Sequence, residues 1–346
     1  MLDRRKFLQV TGAGAAMLAL GACDGAAQSQ DAEPHADEPE EQPAAPVEVR
    51  AVALKGPTAM GLVRFMSEVD SGNLADNDYS FQIVASPDEV TPLVAKDGVD
   101  IAAVPANLAS VLYNKTEKGV RAIAINTLGV LYICELGDTV QSVADLRGKT
   151  IYASGKGSTP EYGLQYVLEK NGLVVGEDVQ IEWKSEHAEC VQAIATSEGE
   201  AVAMLPQPFV TTAQAQNEKI RVALDLTEEW DAVQTGDEKS SMVTGVAIVR
   251  AAFADEHPEA VDAFLEHYAE SVDFVNDNVA EAAELVGSYD IVAAQVAEKA
   301  IPECNIVCIT GGDMAERLSG YLDVLAEQNP EAVGGSVPGD DFYYGA

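Results

Sequence analysis

The sequence predicts an α/β protein built as two lobes, each a sheet covered by helices, with a helical C-terminal end. Three observations carry this. Strand-like and helix-like segments alternate from residue 49 onward, the alternation starts afresh at Asp145, and the segments after Arg250 are almost all helix-periodic. Two successive runs of such alternation yield two sheets with parallel-type patterning. A chain of 346 residues suits two domains, and an apolar content of 47% can fill both cores.

The elements follow in order. Residues 49–54 read as a strand that Lys55-Gly56-Pro57 ends abruptly, and an amphipathic helix is expected over 58–70. Residues 79–85 form the second strand; Ser86-Pro87-Asp88-Glu89 then starts a helix, with Ser86 as cap and Pro87 in first position. A third strand over 99–104 leads through Pro105-Ala106-Asn107 into a helix reaching Tyr113, and 121–125 and 129–136 are further extended runs. Asp145-Leu146-Arg147-Gly148 opens the second run. It holds strands at 150–153, 180–183, 201–205 and 221–225, with helices at 161–170, 189–196 and 209–216 between them. The apolar segment 240–250 is one more strand, and helices are expected at 257–276, 280–286, 291–299 and 314–328.

The chain begins with an export signal rather than a folded element. Residues 1–22 combine the basic Arg4, Arg5 and Lys6 with a Gly/Ala-rich apolar run too short to span a membrane as a folded helix. Arg4-Arg5-Lys6-Phe7-Leu8 is similar to the twin-arginine motif, although Asp3 replaces the usual Ser or Thr, so general secretion stays open as the route. Leu20-Gly21-Ala22-Cys23 resembles the bacterial lipobox, which makes Cys23 the lipid-bearing residue. Residues 23–46, rich in Ala, Glu, Asp, Gln and Pro, have almost nothing to bury and read as a disordered acidic tether. The expected location is extracytoplasmic, lipid-anchored to the outer face of the cytoplasmic membrane.

The net charge of −36, from 57 acidic against 21 basic residues, argues against nucleic acid and anionic lipid headgroups as direct partners. It reads as a solubility or salt adaptation. Cys134 lies in an apolar run and reads as core. Cys304 and Cys308 stand four apart; an oxidising compartment permits a bridge between them, and the spacing does not demand one. His35, His187, His257 and His267 are too scattered to make a metal site, and no cofactor motif is present: residues 154–160 lack the Gly-Lys-Ser/Thr of a phosphate loop. His187, between Glu186 and Glu189, is the one candidate acid/base group and reads as a solvated residue at a helix start.

Four loops share one design. Residues 55–58, 105–107, 154–160 and 206–208 each follow a strand and precede a helix. Ligands of open α/β sheets bind at that edge, where helix N-termini offer unpaired N–H groups and partial positive charge. Thr58, Asn107, Ser154, Ser158, Thr159 and Gln207 add neutral polar groups, and Lys55 and Lys156 add one cation per lobe. One such loop is as readily a capped turn as a binding loop; two in each lobe point to a cleft.

The segments "ALKGPTAMG", "DIAAVPANLASVLYNKT", "INTLGVLYI", "SVADLRGKTIYASGKGSTPEY" and "AMLPQPFVTTA", with the lipobox and tether, resemble bacterial ABC-transporter substrate-binding lipoproteins. The likeness is to the branch of sulfonate, taurine, nitrate and thiamine-pyrimidine-precursor binders, and it covers roughly residues 47–344. It implies a type II periplasmic-binding-protein fold. Lobe 1 would comprise 47–136 and 246–346, lobe 2 would comprise 137–245, and a two-strand hinge would lie near Gly137 and Thr244. A small-molecule ligand would sit between the lobes, and closure would present both to an ABC permease in the membrane. By position, Lys55, Gly56, Pro57, Thr58, Met60, Asn107 and Thr127 would face the ligand from lobe 1. Ser154, Gly155, Lys156, Ser158, Thr159, Gln207 and Pro208 would do so from lobe 2, with Thr244 and Gly245 at the hinge. The resemblance implies a monomer without cofactor or catalytic residues; the cysteine-rich motif of the pyrimidine synthases that share the fold has no counterpart. The lysines and helix starts favour an anionic group such as sulfonate, carboxylate or nitrate, while Tyr162 and Trp183 leave room for an aromatic heterocycle. A periplasmic enzyme on this scaffold using His187 or a cleft carboxylate as base, or a ligand-sensing module for a membrane receptor, is the alternative.

Overall fold

The computed structural model describes residues 46–234 and 240–346, all within one structural unit. The expected export signal, Cys23 and the tether as far as residue 45 lie outside the described residues. The chain first forms β1 (Glu48–Leu54), α1 (Pro57–Met60), α2 (Val63–Asp70), β2 (Asp78–Val84), α3 (Pro87–Ala95), β3 (Ile101–Pro105), α4 (Ala106–Lys115) and β4 (Val120–Leu128). It continues through β5 (Leu131–Leu136), β6 (Thr150–Ala153), α5 (Thr159–Lys170), β7 (Gln180–Trp183), α6 (His187–Ala195), β8 (Ala201–Pro206), α7 (Phe209–Gln216), β9 (Ile220–Asp225) and α8 (Leu226–Ala232). It ends with β10 (Val243–Arg250), α9 (Ala251–Glu256), α10 (Pro258–Asp277), α11 (Val279–Ser288), α12 (Ala294–Ala300), β11 (Ile306–Ile309) and α13 (Gly311–Gln328).

Two mixed sheets result, one of order β11-β4-β10-β3-β1-β2 and one of order β7-β6-β8-β5-β9. In the first, β1, β2 and β3 run parallel and β10 is antiparallel to both its neighbours. The C-terminal ends of β1, β3 and β4 therefore share an edge with the start of β10. In the second, β6, β7 and β8 run parallel while β5 opposes β8 and β9, so the ends of β6 through β9 share an edge. Residues 101–104 of the central β3 are buried on both faces, which is why they are apolar without alternation. The edge strands β2 and β7 alternate instead. Ser86 forms a full capping box with Glu89 at the start of α3, as its sequence suggests.

The sheets divide the chain at places other than those expected. Residues 131–136, assigned to lobe 1, form β5 and pair with β8 and β9 in the second sheet. Val243, Thr244 and Gly245, assigned to lobe 2, begin β10 in the first sheet, where Gly245 pairs with Pro105 and Thr127. The first crossing is thus at Gly129-Val130, not at Gly137. The apolar run on either side hides it, because both sheets need buried strands there. Close packing fixes it: a Cβ on Gly129 would stand 1.8 Å from Thr227 Oγ1.

The helix expected over 58–70 is two helices with a turn at Gly61-Leu62. The cause lies far along the chain. Ser271 of α10 donates its hydroxyl to Gly61 O at 2.7 Å and accepts from Phe65 N at 3.1 Å. Its side chain is inserted into what would be the Gly61–Phe65 helical bond, a recognised cause of kinks. The short elements α8, α9 and β11 were not expected. Cys134, Cys190, Cys304 and Cys308 are all thiols without a bridge. No helix of the described residues is long and apolar enough to cross a membrane.

Candidate functional site

The two strand-end edges face one another, and polar residues that the sequence singled out are buried there. Thr58, on α1, donates its hydroxyl to Leu54 O at 2.8 Å. Gly56 precedes it with φ of 125°, a conformation that requires glycine, and Pro57 holds the first helical position. Thr127 is fully buried and donates to Asn126 Oδ1 at 3.0 Å. Gly245 packs onto this group so closely that a Cβ would stand 2.4 Å from Asn126 Oδ1 and 2.7 Å from Thr58 Cγ2. Beside it, the Thr244 hydroxyl is buried without a hydrogen-bond partner. Asn107, the second residue of α4, completes the wall and is 4% exposed.

From the other lobe, the loop after β6 turns through Gly155 and Gly157, both at positive φ, and Ser158 Oγ closes it on Gly155 O at 2.7 Å. Ser154 is buried and meets His187 Nδ1 at 2.5 Å. Thr159 opens α5 and is fully buried. Gln207 and Pro208 are buried, and Gln207 Oε1 accepts from Thr211 Oγ1 at 3.0 Å. The lobes touch here: Asn107 Nδ2 reaches Gly157 O at 3.5 Å, Thr159 Oγ1 reaches Asn107 Oδ1 at 3.4 Å, and Tyr132 donates to Glu303 O at 3.1 Å.

Three candidates stand elsewhere or outward. Met60 is fully buried in the apolar core beneath the first sheet's helices, not on the cleft wall. Lys55 is exposed and its ammonium pairs with Asp290 at 3.4 Å. Lys156 is exposed, with no ion-pair partner among the described residues. The buried polar groups of the wall are therefore all neutral.

His187 takes a place that sequence reasoning gave it only as an acid/base candidate. It is half-buried at the start of α6, its ring 5.0 Å from that of Phe209 and its Nδ1 on Ser154, so it stands between two of the wall loops. Burial pushes the imidazole down to about 4, so it stays neutral near pH 7. The signal was present: the break from β7 into α6 is a fifth strand end on the same edge. Among the described residues no group of three or more His, Cys, Asp or Glu could hold a metal.

A family model described as "ABC transporter, phosphonate, periplasmic substrate-binding protein" matches residues 76–300. The chain belongs to this family. A phosphonate-family substrate-binding protein is a binding component of an ABC import system, not an enzyme, and works outside the cytoplasm with a small solute and a permease as partners. Solved structures agree on the type II periplasmic-binding fold. An ABC transporter protein from Parabacteroides distasonis superposes with a TM-score of 0.71 at 22% identity, covering 85% of this chain and 98% of its own. The periplasmic aliphatic sulphonate binding protein SsuA of Escherichia coli gives 0.66 at 15% identity, covering 83% and 90%. The alkanesulfonate-binding protein SsuA of Xanthomonas axonopodis pv. citri, bound to MOPS, gives 0.62 at 12% identity, covering 86% and 96%. Comparison with curated protein sequences finds no match.

Proposed function

We propose that the protein captures a small oxyanion, of the phosphonate or sulfonate type, between its lobes and delivers it to its permease. The observation that carries this is the meeting of two helix starts across the cleft. The side chains of Asn107 at the start of α4 and Thr159 at the start of α5 come within 3.4 Å, so the N-termini of both helices converge, with those of their N–H groups that are not already bonded, as Glu161 N is to Ser158 O. With Lys55 drawn to Asp290 and Lys156 exposed, those N–H groups and neutral hydroxyls, joined by His187, hold the charge. Tyr162 and Trp183 pack against the apolar core, which counts against the heterocycle alternative.

In this reading lobe 1 comprises 46–128 and the segment from Val243 onward, and lobe 2 the sheet between. Thr58, Asn107, Thr127, Ser154, Gly155, Ser158, Thr159, Gln207, Pro208, Thr244 and Gly245 surround the ligand, and Gly56 and Pro57 shape the loop that presents Thr58. The protein acts as a monomer. Titration calorimetry with alkylphosphonates, alkanesulfonates, carboxylates and pyrimidines tests the ligand. A phosphonate or sulfonate at 100 times its Kd adds about 2.7 kcal/mol of stability, visible as a raised melting midpoint. A panel in which only a pyrimidine binds sinks the oxyanion reading. The lipid anchor at Cys23 belongs to the same proposal. Cys23→Ala is expected to move the protein from the membrane to the soluble fraction on fractionation of the host; retention at the membrane defeats the anchor.

A further inference from the structure

Tyr321 lies in the middle of α13, outside both runs of strand–helix alternation, yet its ring is fully buried against Trp230 of the second lobe, with centroids 5.4 Å apart. Trp230 in turn packs on Tyr166 of α5 at 4.2 Å. This aromatic stack brings the Tyr321 hydroxyl beside the Thr159 hydroxyl, where it forms no hydrogen bond of acceptable geometry. A buried polar group left in that state costs stability, because it has given up water and gained no partner. Buried tyrosine hydroxyls normally find partners, so one that does not needs an explanation.

Its surroundings supply one. Thr159 is the first residue of the twelve-residue α5, and Asn107 the second of the ten-residue α4. Asn107 holds its contacts to Gly157 O, Ala332 O and Thr159 Oγ1 at 3.5, 3.3 and 3.4 Å, the outer limit for hydrogen bonds. Contacts of that length yield to a ligand oxygen at little cost. An oxygen inserted between Asn107 and Thr159 meets two helix starts and, next to Thr159, a buried hydroxyl with nothing to donate to.

We propose that Tyr321 is a ligand-contacting residue, supplied by the C-terminal helix, whose hydroxyl donates to an oxyanion oxygen held between the starts of α4 and α5. The proposal rests on the cleft reading above. Burial holds the phenol well above its ordinary pKa, so it stays a donor throughout the physiological range. As a neutral donor it adds a directed bond to a wall that has no buried cation.

Tyr321→Phe tests it, since phenylalanine keeps the ring packing against Trp230. Two readouts are taken: the melting midpoint without added ligand, and calorimetric affinity for methylphosphonate, methanesulfonate, phosphate and sulfate. The expected result is a ligand-free midpoint unchanged or raised, because the variant removes an unpaired hydroxyl, with affinity weakened at least tenfold for whichever anion the wild type binds. An unchanged affinity overturns the proposal. A ligand-free midpoint several degrees lower also overturns it, since the hydroxyl would then be a structural bond to Thr159. If the wild type binds none of the four anions, the oxyanion reading of the cleft fails. The Tyr321 proposal fails with it, whereas an anion bound equally well by wild type and Tyr321→Phe overturns the Tyr321 role alone.

Discussion

Gly129→Ala is expected to destabilise the protein by about 3 kcal/mol or more, at the upper end of the overpacking range. The new Cβ would lie 1.8 Å from Thr227 Oγ1, 2.8 Å from its Cβ and 2.9 Å from its Cγ2, so rotating the Thr227 side chain cannot relieve the clash. Thr227 is itself held, because its backbone N–H donates to Asp225 at 2.7 Å at the start of α8. The carbonyl of Gly129 takes a hydrogen bond from Asn305, so the crossing strand cannot drift away either. Denaturant unfolding of Gly129→Ala, Thr227→Gly and the double variant checks the mechanism. The double variant should recover at least 1 kcal/mol over the sum of the single effects. Additive losses would mean that the clash is not the cause.

The second large effect is expected at Asp100. This carboxylate is 3% exposed and accepts from Arg50 N at 3.0 Å, Arg50 Nε and Nη2 at 2.8 Å, and Arg250 Nη2 at 2.7 Å. Asp100→Ala leaves an amide and two guanidinium groups short of their acceptor. Breaking a buried pair in this way costs about 3–5 kcal/mol; the low end applies because Arg50 is partly exposed and Arg250 keeps Asp97 and Val99 O. Burial alone would raise the Asp100 pKa, but its bonds to Arg50 and Arg250 hold it below the usual carboxylate value. Its stabilisation is therefore complete above the unfolded pKa of about 3.9 and is lost as pH falls through the lower folded value. Unfolding free energies of the wild type should decline below about pH 4, and those of Asp100→Ala should decline less. Glu135 and Asp76, also held low, keep some slope in the variant. Parallel pH curves for the two proteins would refute the assignment.

Much of the architecture was legible because the local patterns agree with the final fold. The strands at 150–153 and 180–183 and the helix at 209–216 have the limits that periodicity and the Pro206-Gln207-Pro208 break suggest. Features decided by distant partners were not legible. The division of the 58–70 helix depends on Ser271, 206 residues from Phe65. The crossing at Gly129 depends on Thr227, and the orientation of Lys55 depends on Asp290. Met60, which the resemblance implies faces the ligand, lies in the core, buried on the short α1. His187 reads in the sequence as a solvated residue at a helix start, yet its ring packs inward on Ser154 and Phe209 while Glu186 and Glu189 are exposed.

The Ser271 insertion has a mechanical consequence. Because one hydroxyl replaces the backbone bond between Gly61 and Phe65, α1 is joined to α2 through a side-chain splice instead of a continuous helical spine. The turn that carries Thr58 is thus tied to α10 as well as to α2, whose Phe65 packs among Tyr79, Phe81 and Phe264. One serine on a distant helix therefore joins the strand-end side of the lobe to its aromatic outer side.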